Sequence, residues 1–137
     1  MNADDKLAIH ELLSRAAYSF DEHDLDMLEG CYAEDATLRV DIADGQTFGP
    51  FEGREAIMGL MKVTLDSQSD TRRHIICNFI FEDAGESHAV VVSTVVVTSA
   101  EDGEIGLVTS GVYRDRVAKT AQGWRIADRL LKLELGF

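Results

Sequence analysis

Residues 88–99 read His-Ala-Val-Val-Val-Ser-Thr-Val-Val-Val-Thr-Ser, and eight of these twelve side chains branch at Cβ. Branching there restricts side-chain rotation, disfavours helix and suits a pleated surface. The segment can only be a strand, and it has company. Thr71–Phe81, Gly106–Ala118 and Trp124–Leu135 carry the same β-branched and aromatic character. Polar turns separate them at 82–86, 100–103 and 119–123, and Asp102-Gly103 is a hairpin signal. Four strands joined by short turns predict an antiparallel meander over the second half of the chain.

The first half has a different period. Ile9, Leu13, Ala16, Ala17 and Phe20 recur at three and four, which predicts a helix over Asp4–Phe20. Asp4 and Asp5 suit its positive end. The helix is expected to stop near Asp21–Asp24, and Asp24 to cap a short second helix over Leu25–Cys31 with Leu28 facing inward. Ala36–Ile42 reads as a strand, Asp44-Gly45 as a turn, and Gly49–Gly53 as an irregular approach to a third helix over Arg54–Leu65. Ile57, Leu60, Met61 and either Val63 or Leu65 are expected on the inward side of that helix. Helices gathered ahead of an antiparallel sheet define an α+β domain, and 137 residues suit one domain over 1–137.

The strands are apolar on both faces. Val90, Val92 and Val96 lie on one side of theirs, with Val91, Val95 and Val97 on the other. One face can pack on the helices. The other is expected to meet a second copy of the chain, as a dimer or trimer formed through the outer sheet face.

Charge narrows the partners. The chain has 25 acidic residues against 13 Lys and Arg, a net charge of −12. That disfavours nucleic acid and anionic membrane surfaces, both of which recruit basic side chains. No apolar run is long enough to span a bilayer, and residues 1–6 lack the layout of a signal peptide, so a cytoplasmic location is expected. Cys31 and Cys77 make no disulfide framework and read as small buried thiols. The four histidines show no metal-ligand spacing, and no glycine-rich phosphate loop is present. The expected partner is a small molecule, bound without metal or cofactor.

One side chain stands out in the strand Thr71–Phe81. Alternation puts His74 on one face with Ile76, Asn78 and Ile80, backed by Ile75, Cys77, Phe79 and Phe81. A histidine there is either a satisfied structural group or a proton carrier. Asp21 is the matching acid. It sits at the end of the first helix beside the apolar stripe, near the negative end of the dipole, where it does nothing for helix stability. A solvated helix-end acid, or a cap for the next turn, are the other readings of Asp21. Arg72 shares the His74 face and either meets a ligand carboxylate or reaches water. His10, His23 and His88 have polar neighbours and are set aside.

Several motifs in order carry a family resemblance: Tyr18-Ser-Phe-Asp21-Glu-His-Asp24, Cys31-Tyr-Ala-Glu-Asp35, Phe51-Glu-Gly53-Arg-Glu-Ala-Ile57, Thr71-Arg-Arg-His74-Ile-Ile-Cys-Asn78, Gly111-Val-Tyr113-Arg-Asp115 and Gly123-Trp124-Arg-Ile126. The chain resembles the SnoaL-like branch of the nuclear transport factor 2-like superfamily, the group that includes scytalone dehydratase. The resemblance covers nearly the whole chain. It implies a cystatin-like, nuclear transport factor 2-like cone: a curved, mostly antiparallel sheet wrapped around helices and enclosing a pocket. It also implies that Asp21 and His74 meet there as a dyad, as in the dehydratase members.

On that basis the expected activity is a cofactor-independent dehydratase, isomerase or cyclase-type lyase acting on a small, largely apolar cyclic molecule. His74 would be the base and Asp21 its orienting acid, with Tyr18, Asn78, Tyr113, Met61 and Phe51 as substrate contacts. The chain departs from scytalone dehydratase at three places. Val92-Ser93-Thr94 has no second histidine, Phe20 stands for a tyrosine, and Ile42 stands for another. The family also holds small subunits of ring-hydroxylating dioxygenases, so a non-catalytic binding or scaffold protein is the alternative.

Overall fold

A computed structural model describes all residues, 1–137. Helix α1 spans Ala3–Asp21, α2 Leu25–Glu29 and α3 Arg54–Asp66. The strands are β1 (Tyr32–Ile42), β2 (Thr47–Glu52), β3 (Thr71–Ala84), β4 (His88–Glu101), β5 (Glu104–Thr120) and β6 (Gly123–Leu133). They form one sheet in the order β2-β1-β6-β5-β4-β3. The meander β3–β6 is antiparallel throughout. β1 then joins β6 in parallel, and β2 hangs on β1 as an antiparallel edge. The sheet stays open, with β2 and β3 at its two edges.

Local chemistry accounts for the helix ends. Asn2 accepts from the Asp5 backbone N–H while the Asp5 carboxylate accepts from the Asn2 N–H, a reciprocal cap at the start of α1. Asp24 caps α2 by accepting from the Met27 N–H. α1 buries Ile9, Leu12, Leu13 and Ala16. Asp102 and Gly103 both have positive φ, 52° and 80°, the backbone that the two-residue β4–β5 hairpin requires.

Element ends shift, with α2 stopping at Glu29 and β1 starting at Tyr32 instead of Ala36, and two stretches differ in kind from the sequence expectation. Residues 47–52 are a strand, not an irregular approach to α3. Pro50 hid it, but a proline costs a sheet little at an outer edge, where no neighbouring strand wants its N–H. The second difference lies inside β3. Cys77 pairs with Thr94 but Ile80 pairs with Val92, so one extra residue is accommodated between them. Asn78 takes it up with a left-handed φ of 56°. The bulge reverses the faces of Phe79–Phe81, and a second shift follows between Phe81 and Asp83. His74 and Ile76 look inward, and so do Phe79 and Phe81, which stack on His10 of α1 with ring centroids 4.3 and 5.9 Å away. Ile75 and Ile80 look outward, 51% and 61% exposed. Asn78 and Ile80 therefore do not share the His74 face.

Further register shifts occur between Val97 and Thr98 on β4 and between Arg116 and Val117 on β5. Such bulges bend the sheet, which curls around the helices. Gly111 lets β5 and β6 approach closely, since a Cβ there would lie 2.1 Å from the Lys132 carbonyl oxygen.

The core has two parts. The larger packs α1, α2 and α3 on the sheet around Ile9, Leu13, Leu28, Ile57, Val91 and Ile126. The smaller comprises Val40, Ile42, Val95, Val97, Tyr113 and Leu133. All six of these also line a cavity, so this end of the core is the wall of a hollow.

Candidate active site

The site begins where α1 meets β3. β3 is an edge strand, so half of its N–H groups have no neighbouring strand to bond. Asp21, the last residue of α1, supplies an acceptor. One carboxylate oxygen accepts from the His74 backbone N–H at 2.7 Å, and the other meets His74 Nδ1 at 2.6 Å. The side chains are nearly enclosed, 5% exposed for Asp21 and 16% for His74. Phe20 meets the imidazole edge-on, with centroids 5.3 Å apart. Beside the pair, Glu22 bonds Arg73 and ties the same two elements together outside. Acceptance by a carboxylate makes Nδ1 the protonated nitrogen of a neutral ring. Nε2 is then the basic nitrogen.

His74 lines a cavity of about 360 Å³ between the sheet and the helices. Seventeen of its 25 lining residues are hydrophobic, among them Ala16, Phe20, Leu60, Met61 and Val95. Nδ1 is turned to Asp21, which does not line this cavity, whereas His74 lines both the cavity and an outer cleft shared with Asp21.

Polar groups from β1, β5 and β6 also reach the cavity. Asp115 is fully buried and receives both Nε and Nη2 of Arg129, at 2.7 and 3.0 Å. The guanidinium lies over the Tyr113 ring, 4.0 Å from its centroid. Burial opposes the Arg129 charge, but the Asp115 carboxylate, together with Tyr32 and Tyr113, more than offsets it and holds Arg129 firmly protonated. Burial pushes the Tyr113 phenol up to about 12 and raises Tyr32 as well. Both phenols are therefore neutral hydrogen-bond donors at physiological pH, and both line the cavity.

The expected site residues divide. The structure brings Asp21 and His74 together and places Tyr113 and Met61 on the cavity wall. Tyr18 is 60% exposed and lines an outer cleft on the far side of the Asp21–His74 pair, because it projects from the solvent side of α1. Phe51 packs against the main core, not the cavity. Asn78 is exposed at the bulge. Tyr32 and Arg129 line the cavity and are not among the expected contacts, while Arg72, whose expected partner is either a ligand carboxylate or water, lines it too. Arg129 had a signal. Tyr113, Asp115 and Val117 alternate onto one face, which puts a carboxylate among buried neighbours and demands a cation. No group of three or more His, Cys, Asp or Glu side chains is placed to hold a metal ion. No helix is long and apolar enough to cross a membrane.

The profile of the SnoaL-like domain matches residues 1–130, and the chain belongs to that family. No curated protein matches it. Solved structures share the fold. A Nostoc punctiforme PCC 73102 protein of unknown function with a cystatin-like fold is 23% identical, with a TM-score of 0.83 over 100% of this chain and 96% of the other. A Novosphingobium aromaticivorans DSM 12444 protein assigned as the beta subunit of an aromatic-ring-hydroxylating dioxygenase is 14% identical, with a TM-score of 0.81 over 95% and 89%. A Catenulispora acidiphila protein in complex with S-DNPA is 18% identical, with a TM-score of 0.82 over 96% and 95%. The expected fold class is thus the observed one, α+β with helices on a curved, unclosed sheet.

Proposed function

We propose that the chain is a cofactor-independent lyase or isomerase for a small, largely apolar cyclic molecule. One observation carries this reading. Asp21 engages both the backbone N–H and Nδ1 of His74, which leaves Nε2 as the single basic nitrogen of a cavity with apolar walls. A neutral imidazole is a suitable base for a carbon-bound proton near neutral pH. Asp21 fixes its tautomer and stabilises the imidazolium that forms. The imidazolium then returns the proton, either to a leaving hydroxyl or to another carbon of the substrate. The neutral phenols of Tyr113 and Tyr32 donate to the substrate oxygen on which charge develops. That a Catenulispora acidiphila protein of the same fold is found in complex with S-DNPA supports a ligand-binding role.

Proton exchange tests the base directly, whatever the substrate. Cyclic ketones such as 1-tetralone are incubated with the protein in D₂O, and α-proton exchange is followed by NMR. His74→Ala is expected to slow any protein-dependent exchange by about 10²–10⁴-fold, with the fold retained by circular dichroism. Equal exchange in the two proteins removes His74 as the base. If Asp21 were the base instead, as in ketosteroid isomerase-like chemistry, His74→Ala would keep much of the rate.

The fold shared with a dioxygenase beta subunit favours a second reading, a binding or scaffold protein in which the pair only orders the core. Asp21→Asn then costs a few kcal/mol of stability and no activity exists to lose. Under either reading the outer sheet face, with Ile75, Ile80 and Val112 exposed, is proposed as the contact between copies of the chain. Light scattering that finds only a monomer at micromolar concentration ends that proposal.

A further inference from the structure

The cavity has a charge pattern opposite to that of the chain. The sequence carries 25 acidic residues against 13 basic ones, yet no Asp or Glu lines the cavity, whereas Arg72, Arg129 and His74 do. Arg129 is committed, since Asp115 takes its guanidinium from two nitrogens. Arg72 is not. It gives Nε to Asp70 at 3.0 Å and makes no other hydrogen bond within the chain, so its two terminal nitrogens are unspoken for. Asp70 is itself engaged a second time by the Ser99 hydroxyl, which braces the carboxylate that holds Arg72. The Arg72 side chain is only 18% exposed.

Position gives this cation a purpose. Arg72 and His74 are two residues apart on the same face of β3, ahead of the bulge, which separates them by roughly 7 Å along the strand. Arg72 also lies, with Thr64, Gln68 and Phe137, in the surface depression that adjoins the cavity at the end of α3. The walls beyond are apolar. A molecule that fills the hollow and reaches this point meets a partly desolvated guanidinium edge with two parallel donors, the arrangement that matches a carboxylate.

We propose that Arg72 is a specificity-determining residue and that the ligand is a small cyclic carboxylic acid, its carboxylate on Arg72 and its apolar body in the cavity beside His74. This rests on the reading of the cavity as the ligand site, and it adds the class of molecule. It also accounts for the lack of acidic side chains along the cavity wall, where a carboxylate would repel such a ligand.

The test compares 1-naphthoate with 1-naphthamide, an anion and its neutral near-isostere, by isothermal titration calorimetry at neutral pH. Wild-type protein is expected to bind the acid at least tenfold more tightly than the amide. Arg72→Met is expected to abolish that preference while still binding the amide. Arg72→Lys, which keeps the charge without the two-pronged edge, retains part of it. Asp70→Asn retains the preference in full, since the guanidinium is left in place. Equal or tighter binding of the amide by the wild type overturns the inference and leaves the ligand-cavity reading standing. A preference that survives Arg72→Met also overturns it. Failure of both probes to bind removes the ligand-cavity reading and the inference together.

Discussion

Asp115→Asn removes one charge from the most deeply enclosed ion pair in the chain. Asp115 is fully buried, the Arg129 side chain is 8% exposed, and two hydrogen bonds of 2.7 and 3.0 Å join them. The substitution is nearly isosteric, so packing is preserved and the loss is electrostatic. It leaves a largely buried guanidinium without its counter-charge. Breaking a buried pair in this way costs about 3–5 kcal/mol. A chain of this length has a total stability of about 7–20 kcal/mol, so the loss is a large fraction of the whole. With an unfolding entropy of about 0.3 kcal/mol per kelvin for such a chain, Tm is expected to fall by about 10–17 °C. Urea unfolding at 25 °C followed by Trp124 fluorescence, with calorimetry for Tm, measures both quantities. The paired change Asp115→Leu with Arg129→Met restores most of the loss, because it removes both charges and substitutes apolar volume. A drop of less than about 3 °C for Asp115→Asn, or a double variant no better than the single one, refutes the claim that Arg129 depends on this one partner.

Other outcomes follow from single contacts. Asn78→Ala is expected to cost about 1–2 kcal/mol, and Asn78→Gly a few tenths at most, because only the bulge's left-handed backbone separates them; chemical denaturation of the two variants checks this. The Asp70 carboxyl is held below its ordinary value by the Ser99 hydroxyl and then by Arg72. Its contribution is present above the unfolded value near 3.8 and is lost as pH falls through the lower folded value. Ser99→Ala is therefore expected to lower Tm at pH 6, by an amount that shrinks as pH drops below about 4.

The fold was legible because its signals are redundant. The strand segments after residue 70 are too β-branched to be anything else, and Asp102-Gly103 sets one of their turns. The helical stripe of α1 is equally plain. What escaped is governed by single residues whose effect depends on tertiary context. Pro50 argues against a strand unless the strand is known to lie at an edge. Asn78 carries no sequence mark of a bulge, yet it moves Phe79 and Phe81 from one face to the other and takes itself out of the site. Tyr18 is close to Asp21 on the helix surface, but the side of α1 that faces the cavity belongs to Ala16, Ala17 and Phe20. The Asp21–His74 contact is expected only through family resemblance. No spacing rule joins two residues 53 positions apart. Arg72 is placed on the His74 face by alternation, but Tyr32 becomes visible as a cavity residue only when the sheet's curvature is known.

The parallel pairing of β1 with β6 bears on how the chain reaches this structure. β3 to β6 are joined by hairpins and can zip up from neighbouring segments. β1 must wait for β6, across a separation such as the 91 residues between Thr37 and Asp128, and α1 must find β3 across the 53 that separate Asp21 from His74. Long-range closures of this kind are slow, because their entropy is lost before any contact rewards it. The hollow is bounded by these late pairings. Its walls and its Asp21–His74 bond are thus completed only as the last elements dock. Pulsed hydrogen exchange during refolding should protect the β4–β5 amides before the His74 N–H. Binding competence is then a property of the finished fold and of no partly folded form that precedes it.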